Sequence, residues 1–273
     1  MALRMTVLAS GSKGNSTIVA SSSTRILVDA GLSCRETFKR MKAAGEDPEQ
    51  LDAVVISHEH SDHINGLAVL AKKLGIPVYM TGPTHNAWFR IVRHEARRKD
   101  EDARDLEKLE FFEAGRSFQI GDVAITPFTI PHDAVDPVGF TFKVDGIKVG
   151  LVTDLGYMPE SVKHHLRGCD GLMIESNHDL EMLRIGPYPW SVKQRVLSRV
   201  GHLSNAALAD FFNDGFDGGA AFVVLAHLSE QNNHPEIARI AAENALGIQQ
   251  QNLLCERRLL LASQSEPLPA ITL

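Results

Sequence analysis

Cysteine is scarce in this 273-residue chain, aromatic residues make up only 6% of it, and there is no excess of positive charge. The 28 lysines and arginines face 34 aspartates and glutamates, a net charge of −6. Each scarcity excludes something. Three cysteines, Cys34, Cys169 and Cys255, widely spaced and without a CxxC pair, support neither a disulfide framework nor a thiolate zinc site; they read as buried apolar residues. An acidic balance with 3 tyrosines and 2 tryptophans argues against a broadly basic or aromatic nucleic-acid surface, so any such contact has to be local. No window approaches the roughly 18 consecutive apolar residues of a spanning helix, and Met1 to Ser12 lacks the apolar run of a secretory signal. No membrane partner and a cytoplasmic location are therefore expected. What remains, 44% hydrophobic and 23% charged, is the composition of an ordinary globular protein.

Without internal repeats, linkers or a break in composition, the chain reads as one domain over 1–273, with its core at about 5–246 and a tail from 247. Short apolar and β-branched runs at Met5–Ala9, Ser16–Ala20 and Arg25–Asp29 predict a meander of strands. Ser33–Ala44 has helical spacing, Ala53–Ser57 reads as a buried strand, Ile64–Leu74 as a helix and Pro77–Met80 as a strand. Pro83–Lys99 predicts a helix with Trp88, Ile91 and Val92 opposite Arg90, Arg93, Arg97, Arg98 and Lys99. From Leu109 to Asp154 the helical period gives way to strands at Phe111–Phe112, Phe118–Ile120, Val123–Ile130, Gly139–Val144 and Lys148–Thr153, with an Asp-Gly hairpin turn at Val144–Ile147. A strand at Gly171–Glu175, helices at Ser191–Arg199 and Asn205–Asn213, a strand at Ala221–Ala226, a helix at Pro235–Leu246 and a tail strand at Leu259–Ala262 complete the reading. Two blocks of strands followed by helices predict a four-layer α/β/β/α sandwich, two mixed sheets face to face with helices outside. A doubly wound parallel sheet would need stricter alternation.

What the chain has in plenty is histidine, 12 in all, in company with Asp and Asn. Ser57-His58-Glu59-His60-Ser61-Asp62-His63 falls between the strand Ala53–Ser57 and the helix from Ile64, spelling HxHxDH. Neutral imidazoles and carboxylates are the ligands of borderline divalent ions, and a tight loop at a strand end can aim four of them into one cavity. One ion cannot easily use all four. His58 and His60 can point at one ion and Asp62 and His63 at a second beside it, as in two-metal sites about 3.5–4 Å apart. Two ions need further ligands at later strand ends. His132, Asp154 and His227 each follow a buried β run and are the candidates.

This order of residues resembles the metallo-β-lactamase-fold hydrolases. The segments Leu8–Ser16, Asp29-Ala30-Gly31, Pro131-His132-Asp133-Ala134, Thr153-Asp154-Leu155-Gly156, Glu175-Ser176-Asn177-His178-Asp179, Gly201-His202-Leu203-Ser204-Asn205 and His227-Leu228-Ser229 bring it closer to the WalJ/YycJ branch, over about residues 5–245. The resemblance implies that His58, His60, His132 and Asp154 hold one ion, and that Asp62, His63, His227 and a bridging Asp154 hold the other. It also implies a DNA exonuclease running from the 5′ end, with nucleic acid as substrate. Ligation by His and Asp without thiolate suits Zn²⁺ or Mn²⁺, with Fe²⁺ also compatible.

Phosphodiester hydrolysis needs an in-line nucleophile, charge neutralisation on the phosphate and a proton for the departing oxygen. A hydroxide bridging two metal ions forms near neutral pH, and Asp62 can orient it by accepting a hydrogen bond. His202 resembles the proton-donating histidine of ribonuclease Z-like enzymes, and His178 is the competing candidate. His85, His94, His164, His165 and His234 lack partner spacing and read as surface residues. For substrate grip, Lys13 and Asn15 sit in the short loop Ser12-Lys13-Gly14-Asn15, which can offer backbone N–H groups and a cation to phosphate. Arg90, Arg93, Arg97, Arg98 and Lys99 form one cationic face, and Lys193, Arg195 and Arg199 a second, either of which can track a nucleic-acid backbone. The rival readings are a hydrolase of a small phosphodiester or thioester on the same fold, and a non-catalytic metal-binding regulatory protein.

Overall fold

The computed structural model describes residues 3–98, 105–247 and 258–273. Two seven-stranded sheets carry the architecture. The first contains β1 (Arg4–Ala9), β2 (Ser16–Ala20), β3 (Arg25–Val28), β4 (Ala53–Val55), β5 (Val78–Met80) and β6 (Leu109–Phe111) in sequential order. The second contains β7 (Phe118–Ile120), β8 (Val123–Thr129), β9 (Val138–Val144), β10 (Ile147–Val152), β11 (Gly171–Glu175), β12 (Phe222–Ala226) and β13 (Arg258–Leu261), again sequential. A last short strand, β14 (Ile271–Thr272), returns to pair with β1.

Each sheet is antiparallel in its first half and parallel in its second. Strands β1 to β3 form a meander and β3 to β6 run parallel; β7 to β10 form a meander and β10 to β13 run parallel. The carboxyl ends of parallel neighbours lie along one sheet edge, the usual place for a ligand in such sheets.

Between the two sheets lies a core containing Leu3, Val7, Val55, Phe140, Phe142 and Val224. The first sheet's other face is covered by α1 (Cys34–Ala43), α2 (Ser61–Ile64), α3 (Leu67–Leu74) and α4 (Gly82–Arg98), burying Met41, Leu67, Leu70 and Trp88. The second sheet's outer face is covered by α5 (Glu160–Leu166), α8 (Asn205–Asp214) and α9 (Pro235–Leu246), burying Leu166, Leu208, Phe211 and Ala238; two short helices, α6 (Leu180–Ile185) and α7 (Trp190–Val196), lie between β11 and α8 in the chain. Along β12 the side chains alternate between the two cores, Val224 inward and Val223 outward, so every position is apolar and buried. The expected four layers are present.

Several local expectations hold in detail. The Val144–Ile147 turn has Asp145 and Gly146 at φ of 48° and 90°, with Val144 opposite Ile147. Cys34 and Cys169 are buried, and burial pushes the Cys169 thiol up to about 11; Cys255 lies outside the described residues. Others fail for identifiable reasons. The helix expected over Ile64–Leu74 starts only at Leu67, after α2 has ended at Ile64, because the Gly66 N–H donates to the Ala30 carbonyl at 2.8 Å instead of to the preceding turn. The helix expected over Ser191–Arg199 stops at Val196, and both α6 and β14 have no counterpart in the sequence reading.

Candidate metal centre

The chain leaves β4 through Ile56 and Ser57 and enters α2 at Ser61, and His58–His63 occupy that turn. Asp29, which follows β3, sets their aim. Its carboxylate accepts from the Ser57 backbone N–H at 2.8 Å, from the Ser57 hydroxyl, and from His63 Nδ1 at 2.8 Å. Behind the turn, the Ala30 N–H donates to the His63 carbonyl, and a Cβ on Gly31 would fall 1.6 Å from the carbonyl oxygen of Asp62. Only glycine allows that approach, which gives Asp29-Ala30-Gly31 a mechanical meaning. With Nδ1 of His63 held by Asp29, its Nε2 is the atom free to ligate.

Around this turn the structure gathers two sets of donor atoms, each within 4.8 Å of one another: His58, His60 and His132, and Asp62, His63, Asp154 and His227. Asp154 stands between them, with Oδ1 3.8 Å from His132 Nε2 and 3.6 Å from His227 Nε2, and Oδ2 3.2 Å from His63 Nε2. All seven residues expected as ligands are therefore brought together. A third set overlaps the second: Asp154, Glu175, His202 and His227.

The site fits divalent cations by its chemistry. The Nε2 atoms of His58 and His227 are buried without a hydrogen-bond partner, a costly state that a bound cation would relieve. Charge is divided unevenly. Burial, reinforced by His63, holds the His58 pKa well below its ordinary value, so this imidazole is neutral with a lone pair to give. Burial also opposes charge on His63 and His227, but Asp29 and Asp154 outweigh it at His63, and Asp154, Asp62 and Glu175 do so at His227; both are raised well above the usual range. Asp62 and Asp154 are lowered despite burial, Asp62 chiefly by His63 and Asp154 by His227 and His63. The carboxylate side of the pocket thus draws positive charge in.

The backbone shows the same specialisation. Asp29, Asp154 and His227 have φ of 60°, 58° and 55°, left-handed conformations that non-glycine residues adopt at a cost of about 1–3 kcal/mol each. The remaining non-glycine residue of this kind among the described residues is Asp145 in the hairpin turn.

Two supporting carboxylates received no role in the sequence reading, Asp29 and Glu175. Glu175 ends β11 wholly buried; Oε1 accepts from His202 Nδ1 at 2.8 Å and His227 Nδ1 at 2.9 Å, while Oε2 accepts from the backbone N–H groups of Leu155 and Leu203. Burial pushes its carboxyl up, but His202 and His227 more than compensate and bring it to about 2. The available signal was an acidic residue directly after a buried apolar run, Leu27-Val28-Asp29 and Met173-Ile174-Glu175.

His202 borders the site at half-burial, its Nδ1 3.8 Å from Asp154 Oδ1. His178 is 1% exposed, with Nδ1 3.3 Å from the Asn177 side-chain oxygen and Nε2 without a partner. Asn15, expected to face substrate, is instead buried: its amide nitrogen lies 3.1 Å from Asp62 Oδ2 and 3.0 Å from His63 Nε2, and its oxygen accepts from Gly11 N–H. Lys13 is exposed but paired with Glu230 at 2.5 Å.

The two cationic faces fare differently. Arg90, Arg93, Arg97 and Arg98 are exposed on α4, while Ile91, expected inward, is 41% exposed; Lys99 lies outside the described residues. The second face is dismantled: Lys193 is buried with Nζ donating to the Arg184 carbonyl, Arg195 holds Asp133 through two bonds, and Arg199 stacks 4.0 Å over Tyr157. Of the remaining histidines, His94, His164 and His234 are exposed, and His234 caps α9. His85 and His165 are half-buried instead, the first bonded to Asp105 and the second stacked on Phe128.

Two stacked mixed sheets with this donor set at one edge define a class of metal-site protein, and the comparisons agree. Residues 24–227 match the family model of the β-lactamase superfamily domain. The crystal structure of the metallo-β-lactamase fold protein YhfI from Bacillus subtilis superposes with a TM-score of 0.71 at 18% identity, covering 98% of this chain and 99% of that one. The exodeoxyribonuclease YycJ of Bacillus anthracis is 39% identical over 246 residues, 90% of each chain, and the exodeoxyribonuclease WalJ of Streptococcus pneumoniae is 38% identical over 248 residues, 89% of this chain and 88% of the relative. The chain belongs to the β-lactamase superfamily and, within it, to the family of YycJ and WalJ.

Proposed function

We propose that this protein is a dinuclear metal-dependent phosphodiesterase that removes nucleotides from DNA, working from the 5′ end. The observation that carries this reading is the convergence of His58, His60, Asp62, His63, His132, Asp154 and His227 at one sheet edge, in two donor sets with Asp154 standing between them. Two relatives of near-equal length bear the name exodeoxyribonuclease, which supports DNA as the substrate class.

In this reading His58, His60, His132 and Asp154 hold one ion, and Asp62, His63, His227 and Asp154 the other, with Zn²⁺ or Mn²⁺ matching the His/Asp ligand set. When bound, two such ions supply neutralisation of the phosphate's charge and activation of water at neutral pH. The chain's own residues do the rest. Asp62 orients the attacking water by accepting its proton's hydrogen bond. His202 delivers a proton to the departing sugar oxygen. Glu175 supports that role by holding His202 Nδ1–H, which leaves the opposite nitrogen to handle the proton. His178 is assigned no proton transfer, since burial pushes its pKa down to about 4 and leaves it neutral.

The reading is tested by incubating metal-reconstituted protein with DNA labelled at either end. Mononucleotides released first from the 5′-labelled end are expected, with DNA retention falling steeply as salt is added. Release from the 3′ end, or cleavage of small diesters with no action on DNA at any salt concentration, would reject it.

A further inference from the structure

Beside His202 a cleft of about 80 Å³ opens between the loop at Ser12 and the segments carrying His178, Tyr188, Val196 and Ser229. None of the expected metal ligands except His227 borders it, and it has an unusual lining. Leu183, Val196 and Leu228 supply apolar wall. The lysine and arginine flanking its lining are both paired: Lys13, next to Ser12, with Glu230, next to Ser229, and Arg195, next to Val196, with Asp133. A cleft so built suits an uncharged polar group better than a second phosphate.

Its buried polar lining includes Asn177, Asn232 and His178, and of these His178 presents a ring nitrogen beside His202. The Asn177 amide nitrogen donates to the His227 carbonyl at 2.8 Å, which turns the Asn177 oxygen toward His178 Nδ1 at 3.3 Å. An oxygen can only accept, so Nδ1 carries the imidazole proton and Nε2 is a bare lone pair. That Nε2 is buried and has no partner. An orphaned acceptor in a cleft asks for a donor from the ligand.

We infer that this cleft receives the nucleoside on the leaving side of the scissile phosphodiester, and that His178 Nε2 anchors it by accepting a hydrogen bond from an uncharged donor, a sugar hydroxyl or a base N–H. The inference rests on the phosphodiesterase reading for the word "leaving": His202, the residue placed to protonate the departing oxygen, forms the boundary between the metal site and the cleft. His178 is a specificity residue here, acting on binding of one portion of the substrate.

The first test needs no turnover. In metal-loaded protein labelled with ¹⁵N-histidine, the two-bond ¹H–¹⁵N spectrum should place the His178 proton on Nδ1, and adding thymidine should shift the bare Nε2 signal. A proton found on Nε2, or no response to thymidine at saturating concentration, overturns the inference whatever the protein does to DNA. The second test compares a thymidine dinucleoside monophosphate with bis(p-nitrophenyl) phosphate, which has no nucleoside. The ratio of their kcat/KM values should fall roughly tenfold in His178→Ala, as expected for losing a hydrogen bond to a buried acceptor. It should recover in His178→Gln, whose amide oxygen can stand near the Nε2 position, and this variant also serves if the alanine protein does not fold. A 5′-O-methyl thymidine and a base-free nucleotide at the leaving position separate hydroxyl from base N–H, since only the one lacking the donor used should show a reduced ratio. Ratios unchanged in both His178 variants refute the subsite. Hydrolysis of bis(p-nitrophenyl) phosphate alone, with thymidine still shifting Nε2, would retain the nucleoside site while rejecting the nuclease reading.

Discussion

The two sheets support the metal centre by different means. From the first, four proposed ligands arrive in one short turn, and a single carboxylate, Asp29, fixes that turn by bonding Ser57 and His63. From the second, His132, Asp154 and His227 arrive one at a time after three separate strands, and Glu175 joins them by holding both His227 and His202. Asp29 and Glu175 make the same bond, a buried carboxylate to the Nδ1–H of a ligand histidine, at 2.8 and 2.9 Å. The difference is that Asp29 serves one imidazole and its loop, whereas Glu175 couples a ligand to the proposed proton donor. In the proposed reading, metal holding is thus shared by both sheets, and proton delivery belongs to the second alone.

The most severe way to test this division is to remove the residue that stands between the two donor sets and is proposed to serve both. Asp154→Ala is expected to lose about two equivalents of metal and all hydrolysis, measured by elemental analysis and by DNA digestion. A variant that keeps its full metal content would show that Asp154 does not bridge. Removing the proton donor instead should separate the two functions: His202→Ala keeps its metal but slows DNA hydrolysis by roughly 10²–10⁴. The defect should shrink on a p-nitrophenyl diester, whose leaving group needs no proton. Equal damage on both substrates would contradict the role given to His202.

The second-sheet side also buries a neutral histidine, His178, between Asn177 and the cleft. A histidine with folded-state pKa near 4 against 6.5 unfolded contributes stability that is complete above pH 6.5 and is lost as the pH falls toward 4, because the unfolded chain takes up the proton first. The shift corresponds to about 3 kcal/mol. Urea unfolding followed between pH 7 and 4 should therefore show a decline in midpoint that His178→Gln makes shallower. An identical slope in the variant would mean that His178 is protonated in the native state.

Legibility in the sequence followed the same division. The first-sheet ligands could be read directly because they are contiguous and sit between a buried strand and a helix. The second-sheet ligands were legible as polar residues following apolar runs, but their convergence depends on strand order that no local pattern shows. Asp29 and Glu175 escaped notice because an acidic residue at a strand end looks the same whether it faces water or an imidazole. Lys193 looked like part of a cationic face because its spacing does not reveal that the amine is used on the Arg184 carbonyl. The break at Gly66 depends on the carbonyl of Ala30, which takes its N–H, and so on a contact between separate stretches of chain.

The finest test exchanges the two carboxylates for their amides. Asp29→Asn and Glu175→Gln should each weaken metal binding by roughly 10–100-fold, the usual effect of disturbing the partner of a ligand histidine. Competition with a chelator followed by elemental analysis would measure it. At saturating metal the two should part. Asp29→Asn should recover hydrolysis equally on DNA and on a p-nitrophenyl diester, since nothing on its sheet handles the leaving group. Glu175→Gln should recover fully only on the p-nitrophenyl diester, because its amide no longer holds His202 as a carboxylate does while His227 is kept in place by the metal. If both variants recovered alike on both substrates, the link from Glu175 to proton delivery would be lost, and the two sheets would differ only in how they bring their ligands together.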